Sequence, residues 1–491
     1  MFDLIMGILS NLNWPVIFAR LWFGSWESLA TVFLSLLIGG GLALWQNFAR
    51  VKKIIWFDII MIMPIFLPPI VVGLGLISIW GNNGLVNQGL NFLGLTPIKF
   101  LYNGFSVVLA HCYYNIPLVY LAISLKLSNL HPAFEDSAMV MGASRLKILT
   151  AVIWPRLRSA VLAVSALVFL YSFTSFALPL VLGGIKHQTL EVYIYRLFTG
   201  QLNFASAISL AIGQTAFLFG LVILFLKKMN YFNESYVNPI QLGIGKKNIK
   251  LLLSQIALAI FLLAPLSGLI IMGGRGSGFE ANFLFLIRSG FLPAFGRSLA
   301  LAGLSFIFSI LIAGFFLFGR RRRAFWPVLW LSVSPVCFGL IWRWLIGQSL
   351  LSAFLAFVLI SWPFNFFLLS SYYHSRPSFF YDSLKIMGAN NWQMIKATVN
   401  YLAPALLKIF CLHLVFVLGD VAISGLVTPY GQPTVMLLNY SLIGSYRFGA
   451  CALGMSLVLA MILILLLAIN LFATQAREMK KFLLFHFRAE E

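Results

Sequence analysis

Two stretches of this chain repeat one pattern of residue types. Asp136-Ser137 leads through Ala138-Met139-Val140 to Met141-Gly142-Ala143, and Asp382-Ser383 leads through Leu384-Lys385-Ile386 to Met387-Gly388-Ala389. The offset is 246 throughout, half of the 491 residues. These residues do not suit acid–base, nucleophilic or metal chemistry. A short helix, a glycine that can turn sharply and a cap of Met, Ile and Ala suit a knob that inserts into a groove on a partner protein. One such stretch would equally suit a helix resting on lipid. Two copies at equal offset and on the same side favour docking.

Other polar residues stand in apolar runs, where a charge is costly and usually functional. Asp420, beside Gly419, either faces the path of a cation or bonds a neighbouring helix, for example at His413. His111 and Asn115 are i and i+4 on one helix face, placed for helix–helix hydrogen bonds or for a polar path. Tyr171, Thr174 and Ser175 either line that path or act as packing glue. Glu27 and Arg343 fall near outer helix ends, where their charged heads are expected to snorkel.

No catalytic constellation appears, so an enzyme is not expected. Gly243-Ile244-Gly245-Lys246-Lys247 lacks the spacing and the Ser/Thr of a phosphate-binding loop. ATP is therefore expected on a separate subunit, and no cofactor in this chain. Cys112, Cys337, Cys411 and Cys451 form no CxxC pair, which suggests neither a disulfide framework nor a metal site.

The elements that must position these residues are membrane spans. The chain is 61% hydrophobic and 10% charged, too few polar residues to cover a soluble protein of this length. About 20 apolar residues cross a bilayer as a helix. That rule predicts an all-α polytopic membrane protein with about eleven spans, near 22–45, 55–80, 104–125, 159–182, 205–227, 250–272, 295–318, 326–346, 349–371, 402–424 and 448–473. The net charge of +21 could mark a nucleic-acid binder, but 24 of the 34 Lys and Arg fall on loops of one side, so the charge sets orientation and no nucleic acid is expected. The N-terminus is then outside and the C-terminus in the cytoplasm, and both repeated stretches are cytoplasmic. Arg320–Arg323 is expected to anchor a short inside turn.

The repeat extends beyond the two loops. Thr189 matches Thr434, Phe204 matches Phe448, and Pro69 and Gly73 match Pro335 and Gly339. An outside loop at about 81–103, absent from the second half, accounts for the change in offset. Equal sidedness makes this a parallel tandem duplication, unlike the inverted repeats of secondary transporters. The halves are 1–235, with five spans and a loop at 126–158, and 236–491, with six spans and a loop at 372–401.

The pattern Asp-Ser-x-x-x-x-Gly-Ala, with Ile153-Trp154-Pro155 after the first copy, resembles the EAA loop of bacterial ABC importer permeases. The resemblance implies a type I permease fold and an ATPase-coupling role for Asp136, Ser137, Met141, Gly142, Ala143 and Pro155, and for Asp382, Ser383, Met387, Gly388 and Ala389. Tyr401 stands where the second copy would have its proline, a departure that bears on how that segment enters its span. Two EAA loops in one chain resemble the fused-permease branch. Within it, Leu67-Pro68, Gly75-Leu76-Ile77-Ser78, Leu109-Ala110-His111, Asn115-Ile116-Pro117, Thr189 to Tyr195, Leu418-Gly419-Asp420 and Ile443 to Arg447 are similar to thiamine permeases, with ferric-iron permeases sharing parts of them. That branch has six spans per half. The first helix here is either lost or precedes the present start.

The resemblance implies two copies of a cytoplasmic ATPase that binds ATP and Mg, a periplasmic or extracellular solute-binding protein, and a place in the cytoplasmic (inner) membrane. The expected solute is thiamine or its phosphate esters, with ferric iron or another small ion as the alternative. A distant alternative is an ion-driven secondary transporter.

Overall fold

A computed structural model of the chain describes residues 12–49, 54–128, 130, 133–228, 248–274, 278–317, 325–330, 333–374, 376 and 379–487. Arg320–Arg323 and Gly243–Lys247 lie outside the described residues. Every regular element among the described residues is helical. Among the described residues ten helices are long and apolar enough to cross a membrane, and three shorter apolar helices accompany them. The chain divides into two compact units, Met1–Met272 and Gly273–Glu491.

The first unit contains α1 (Trp14–Ser35), which continues through one π turn (Leu36–Gly40) into α2 (Gly41–Ala49). Next come α3 (Ile55–Ile62), α4 (Pro69–Trp80), α5 (Leu85–Phe92), α6 (Gly104–Ser128) and α7 (Ala133–Val140). The unit ends with α8 (Trp154–Phe173), α9 (Ala177–Leu182), α10 (Leu190–Thr199), α11 (Phe204–Lys228) and α12 (Ile249–Gly273). Helices α1, α6 and α8 pack on one another.

Helix α12 packs on α4 and α6. The Tyr113 hydroxyl donates to the Leu262 carbonyl at 2.7 Å. A β-carbon on Gly75 would stand 2.4 Å from the Pro265 carbonyl oxygen, and one on Gly268 would stand 2.0 Å from Ser78 Oγ. Glycine is needed at both positions because the backbones touch, the usual solution where helices associate without a hydrophobic driving force. The repeat boundary expected at 235/236 groups α12 with the second half, whereas its residues up to Met272 fall in the first compact unit.

The second unit holds α13 (Phe279–Arg288), α14 (Phe291–Leu317), α15 (Phe325–Trp330), α16 (Pro335–Ile346) and α17 (Leu350–His374). It closes with α18 (Phe380–Ile386), α19 (Asn391–Gly419), α20 (Ala422–Val427), α21 (Val435–Gly444) and α22 (Phe448–Phe487). Helices α14, α17 and α19 pack together, and Ala313, Trp362, Phe366, Leu369, Leu402 and Ile409 form a buried cluster.

Four expected spans are interrupted, at matching places in the two units. The expected span 55–80 breaks at Leu67-Pro68, where α4 starts with Pro69 in its first turn. The span 326–346 is two short helices, and α16 starts with Pro335 behind a Ser334 cap that accepts from Cys337 N–H at 3.3 Å. Proline lacks an N–H and disfavours helix in the residue before it, so it starts helices readily and continues them poorly. The spans 159–182 and 402–424 end early, at Phe173 and Gly419, and each is followed by a six-residue helix. These two ends are again 246 residues apart.

Candidate docking loops and polar membrane positions

The two Asp-Ser stretches fold alike. Asp136 lies in the first turn of α7 and Asp382 in that of α18, where the helix dipole favours an acid. Ser137 Oγ donates to the Phe134 carbonyl and Ser383 Oγ to the Phe380 carbonyl. Each helix then closes through a left-handed glycine, Gly142 at φ +78° and Gly388 at φ +74°. The Gly142 N–H donates to the Met139 carbonyl and the Gly388 N–H to Lys385, both at 2.9 Å. The Ala143 N–H donates to the Ala138 carbonyl and the Ala389 N–H to Leu384, both at 3.0 Å. This pair of bonds is the Schellman closure, which satisfies the last carbonyls of a helix while reversing the chain.

Met141, 86% exposed, and Met387, 81% exposed, project at the turns beside equally exposed Val140 and Ile386. A new helical segment follows each turn. Ser144 caps one by accepting from Lys147 N–H at 3.3 Å. Asn390 caps the other in a capping box with Gln393.

The knobs are braced differently. In the first, Asn47 Nδ2 donates to Glu135 Oε1 at 3.0 Å, and the Arg156 guanidinium lies 4.2 Å from the Phe134 ring centre. Arg145–Lys147 leads through a π-helical turn, Ile148–Ile153, into α8 with Pro155 in its first turn. The wider turn accommodates the missing proline N–H. In the second, Arg376 stacks on Tyr373 and Tyr381 at 3.6 and 4.5 Å. Tyr401, at the place of Pro155, sets its ring 5.6 Å from Phe380, and α19 runs unbroken from Asn391. The departure seen in the sequence thus exchanges a proline and a π turn for a continuous α-helix and an aromatic contact.

The polar positions in the spans form two buried clusters. In the first unit Glu27 is fully buried, and its carboxylate pairs with His111 Nδ1 and accepts from Thr31 Oγ1 at 3.1 Å. Asn115 Nδ2 donates to the His111 carbonyl at 2.9 Å and reaches Ser172 Oγ at 3.4 Å. These bonds tie α1, α6 and α8. The expected snorkelling of Glu27 is therefore corrected. Helix α1 starts at Trp14, well before residue 22, so Glu27 lies about 20 Å from the helix start and not at its end. Arg343 is half-buried and donates to the Leu426 carbonyl at 3.2 Å.

In the second unit His413 Nε2 bonds Ser305 Oγ at 2.9 Å and Nδ1 bonds Asn365 Nδ2 at 3.0 Å. Both ring nitrogens are thus engaged away from Asp420, so the Asp420–His413 bond is not formed. Asp420 instead ends α19 and accepts from the Ser424 N–H, in the first turn of α20, at 2.8 Å. Thr174 holds the matching place in the first unit, its Oγ1 donating to the Leu170 carbonyl at 2.7 Å. Ser175 follows in the break and accepts at its carbonyl from Thr189 Oγ1, while Tyr171 is half exposed on α8.

The sequence reading missed Glu27 as a partner of His111, 84 positions away, because no local pattern links them. It also passed over the caps Ser144 and Asn390 and the braced rings Phe134 and Phe380, which the offset of 246 could have found.

Residues 35–231 match the family described as binding-protein-dependent transport system inner membrane component. The matched residues lie within the first unit. The first Asp-Ser turn, the Glu27 partner His111 and the break at Thr174 all fall inside the matched residues. The ferric transport system permease protein of Actinobacillus pleuropneumoniae is 33% identical over 181 residues, 36% of this chain and 26% of that protein. The thiamine transport system permease protein of Haemophilus influenzae is 25% identical over 451 residues, 86% of this chain and 81% of that protein. The sulfate transport system permease protein CysT of Salmonella typhimurium is 32% identical over 169 residues, 34% of this chain and 60% of that protein. The matches thus span about a quarter of the ferric relative and about four fifths of the thiamine relative. Likeness to the thiamine permease extends well beyond residues 35–231 into the second unit.

Proposed function

We propose that this chain is the membrane-spanning permease of an ATP-driven importer fed by a solute-binding protein. The observation that carries the reading is the pair of knobs closed by the same hydrogen bonds and capped by exposed Met141 and Met387. A buried turn of this kind would serve packing alone. An exposed apolar tip on a braced helix is a ready ligand for a groove, and two such tips call for two ATPase subunits. Each ATPase would bind ATP and Mg, and closure of the pair would move the knobs and change access to the solute path. The chain would lie in the cytoplasmic membrane with its N-terminus outside.

The solute that fits best is thiamine or its phosphate esters, supported by the 451-residue match to a thiamine permease. Ferric iron is the second reading, favoured by the higher identity, 33%, over a shorter stretch. A solute-binding protein that takes thiamine and not ferric iron would decide between them.

Docking is tested by cross-linking. The four native cysteines are buried, so Met141→Cys and Met387→Cys each add one accessible thiol. Each is expected to cross-link to the ATPase in membranes. Free labelling of both thiols at the same rate with and without the ATPase would refute the docking role.

A further inference from the structure

A cavity of about 410 Å³ opens in the first unit, remote in the chain from the docking knob and bounded by the start of α1, the 183–189 loop and α10. Its polar lining includes Asn13, Arg20, Gln188, Tyr193, Gln201 and Asn203. Arg20 is the one charged residue among those that line it, and no carboxylate is among them. Arg196 lies near enough to add to the positive field at Arg20. We propose that this cavity binds an oxyanion, the phosphate group of a small solute or of a lipid headgroup, through Arg20, Gln188 and Tyr193.

The geometry supports the charge and the shape of the ligand. Arg20 is braced, because one terminal nitrogen donates to the Lys186 carbonyl at 2.6 Å. Its planar fork is thus held in place with donors to spare, the arrangement that suits phosphate. Arg20 Nε and Gln188 Oε1 are buried without a hydrogen-bond partner among the described residues. A buried polar group left unpaired is destabilising. An occupant that supplies acceptors to the guanidinium and a hydroxyl or N–H to the amide would offset both. A protonated phosphate, or a phosphate beside a hydroxyl or ammonium, carries both functions. A cation would meet Arg20 with no counter-charge in the lining. The volume lies within the range of about 300–1,000 Å³ usual for small-ligand sites.

The test uses the full purified chain and needs neither an ATPase nor a solute-binding protein, so it stands or falls apart from the transport reading. Pyrophosphate is titrated calorimetrically into protein in phospholipid-free detergent, and retained phosphatidylglycerol is measured by native mass spectrometry. Saturable pyrophosphate binding is expected, weakened about tenfold or more in Arg20→Gln and by a smaller factor in Tyr193→Phe. Phosphatidylglycerol retention that depends on Arg20, without pyrophosphate binding, would assign the same site to a lipid headgroup. Arg20→Gln also removes the brace on Lys186, whereas Tyr193→Phe leaves it intact. Loss confined to an Arg20→Gln protein that also melts earlier, with Tyr193→Phe unchanged, would overturn the site. So would binding of either ligand equally to the wild-type chain and both variants, or binding of neither.

Discussion

Gly142 and Gly388 hold the same left-handed backbone, at φ +78° and +74°, and each donates its N–H to the carbonyl three residues back at 2.9 Å. A β-carbon at either position would meet nothing within 4 Å. The cost of Gly142→Ala or Gly388→Ala is therefore backbone strain alone, about 1–2 kcal/mol. Proline is different in kind, because its φ is fixed near the opposite sign and its missing N–H deletes the closing bond. The alanine variants are expected to keep most ATPase co-purification. The proline variants are expected to lose it while remaining in the membrane.

The exposed tips set a second expectation. Met141→Asp and Met387→Asp place a charge where an apolar groove should receive the side chain, without touching the helices that carry them. Each should reduce ATPase binding by about tenfold or more, since a charge in a dry interface goes unpaired. Chain level and detergent melting temperature should not change. Equal ATPase recovery from wild type and both variants would count against docking at these residues.

The Glu27–His111 pair makes a prediction about stability. Removing one partner of a buried pair leaves the other unpaired and costs about 3–5 kcal/mol, whereas replacing both with apolar residues is often near neutral. Glu27→Leu and His111→Leu are each expected to melt markedly earlier in detergent. The double variant should recover much of the loss. Additive losses would show that the two side chains act independently.

The close approach of α12 to α4 is testable at Gly75, where a β-carbon would stand 2.4 Å from the Pro265 carbonyl. The opposing atom is backbone and cannot swing aside. Gly75→Val should therefore separate the helices and lower melting sharply. Gly89→Val, on α5 with nothing within 4 Å, should do little by comparison.

The sequence made some of this legible. The shared turn of the two Asp-Ser stretches was readable because their pattern is local and occurs twice, so composition, glycine and offset agree. Most spans were readable because lipid demands long apolar runs, although eleven were expected and ten long apolar helices are found among the described residues. Their interruptions at Thr174 and Asp420 were not, because the runs stay apolar across both breaks and hydropathy does not record where a helix stops. The proline at Pro155 and the aromatic Tyr401 looked like a defect in the repeat. The structure shows two ways of holding one knob. Glu27 looked like an end residue because the span was started at residue 22, and the pairing with His111 depends on tertiary packing that no periodicity shows.

Coupling of the two knobs to ATP hydrolysis would be read out as solute uptake by the reconstituted complex. The chain is placed in proteoliposomes with its ATPase and solute-binding protein, and labelled thiamine uptake is followed with and without ATP. ATP-dependent uptake is expected for the wild-type chain, with loss of uptake in the Gly142→Pro, Gly388→Pro double variant. Undiminished ATP-driven uptake by that variant, or uptake by the chain alone without ATPase or ATP, would contradict the account.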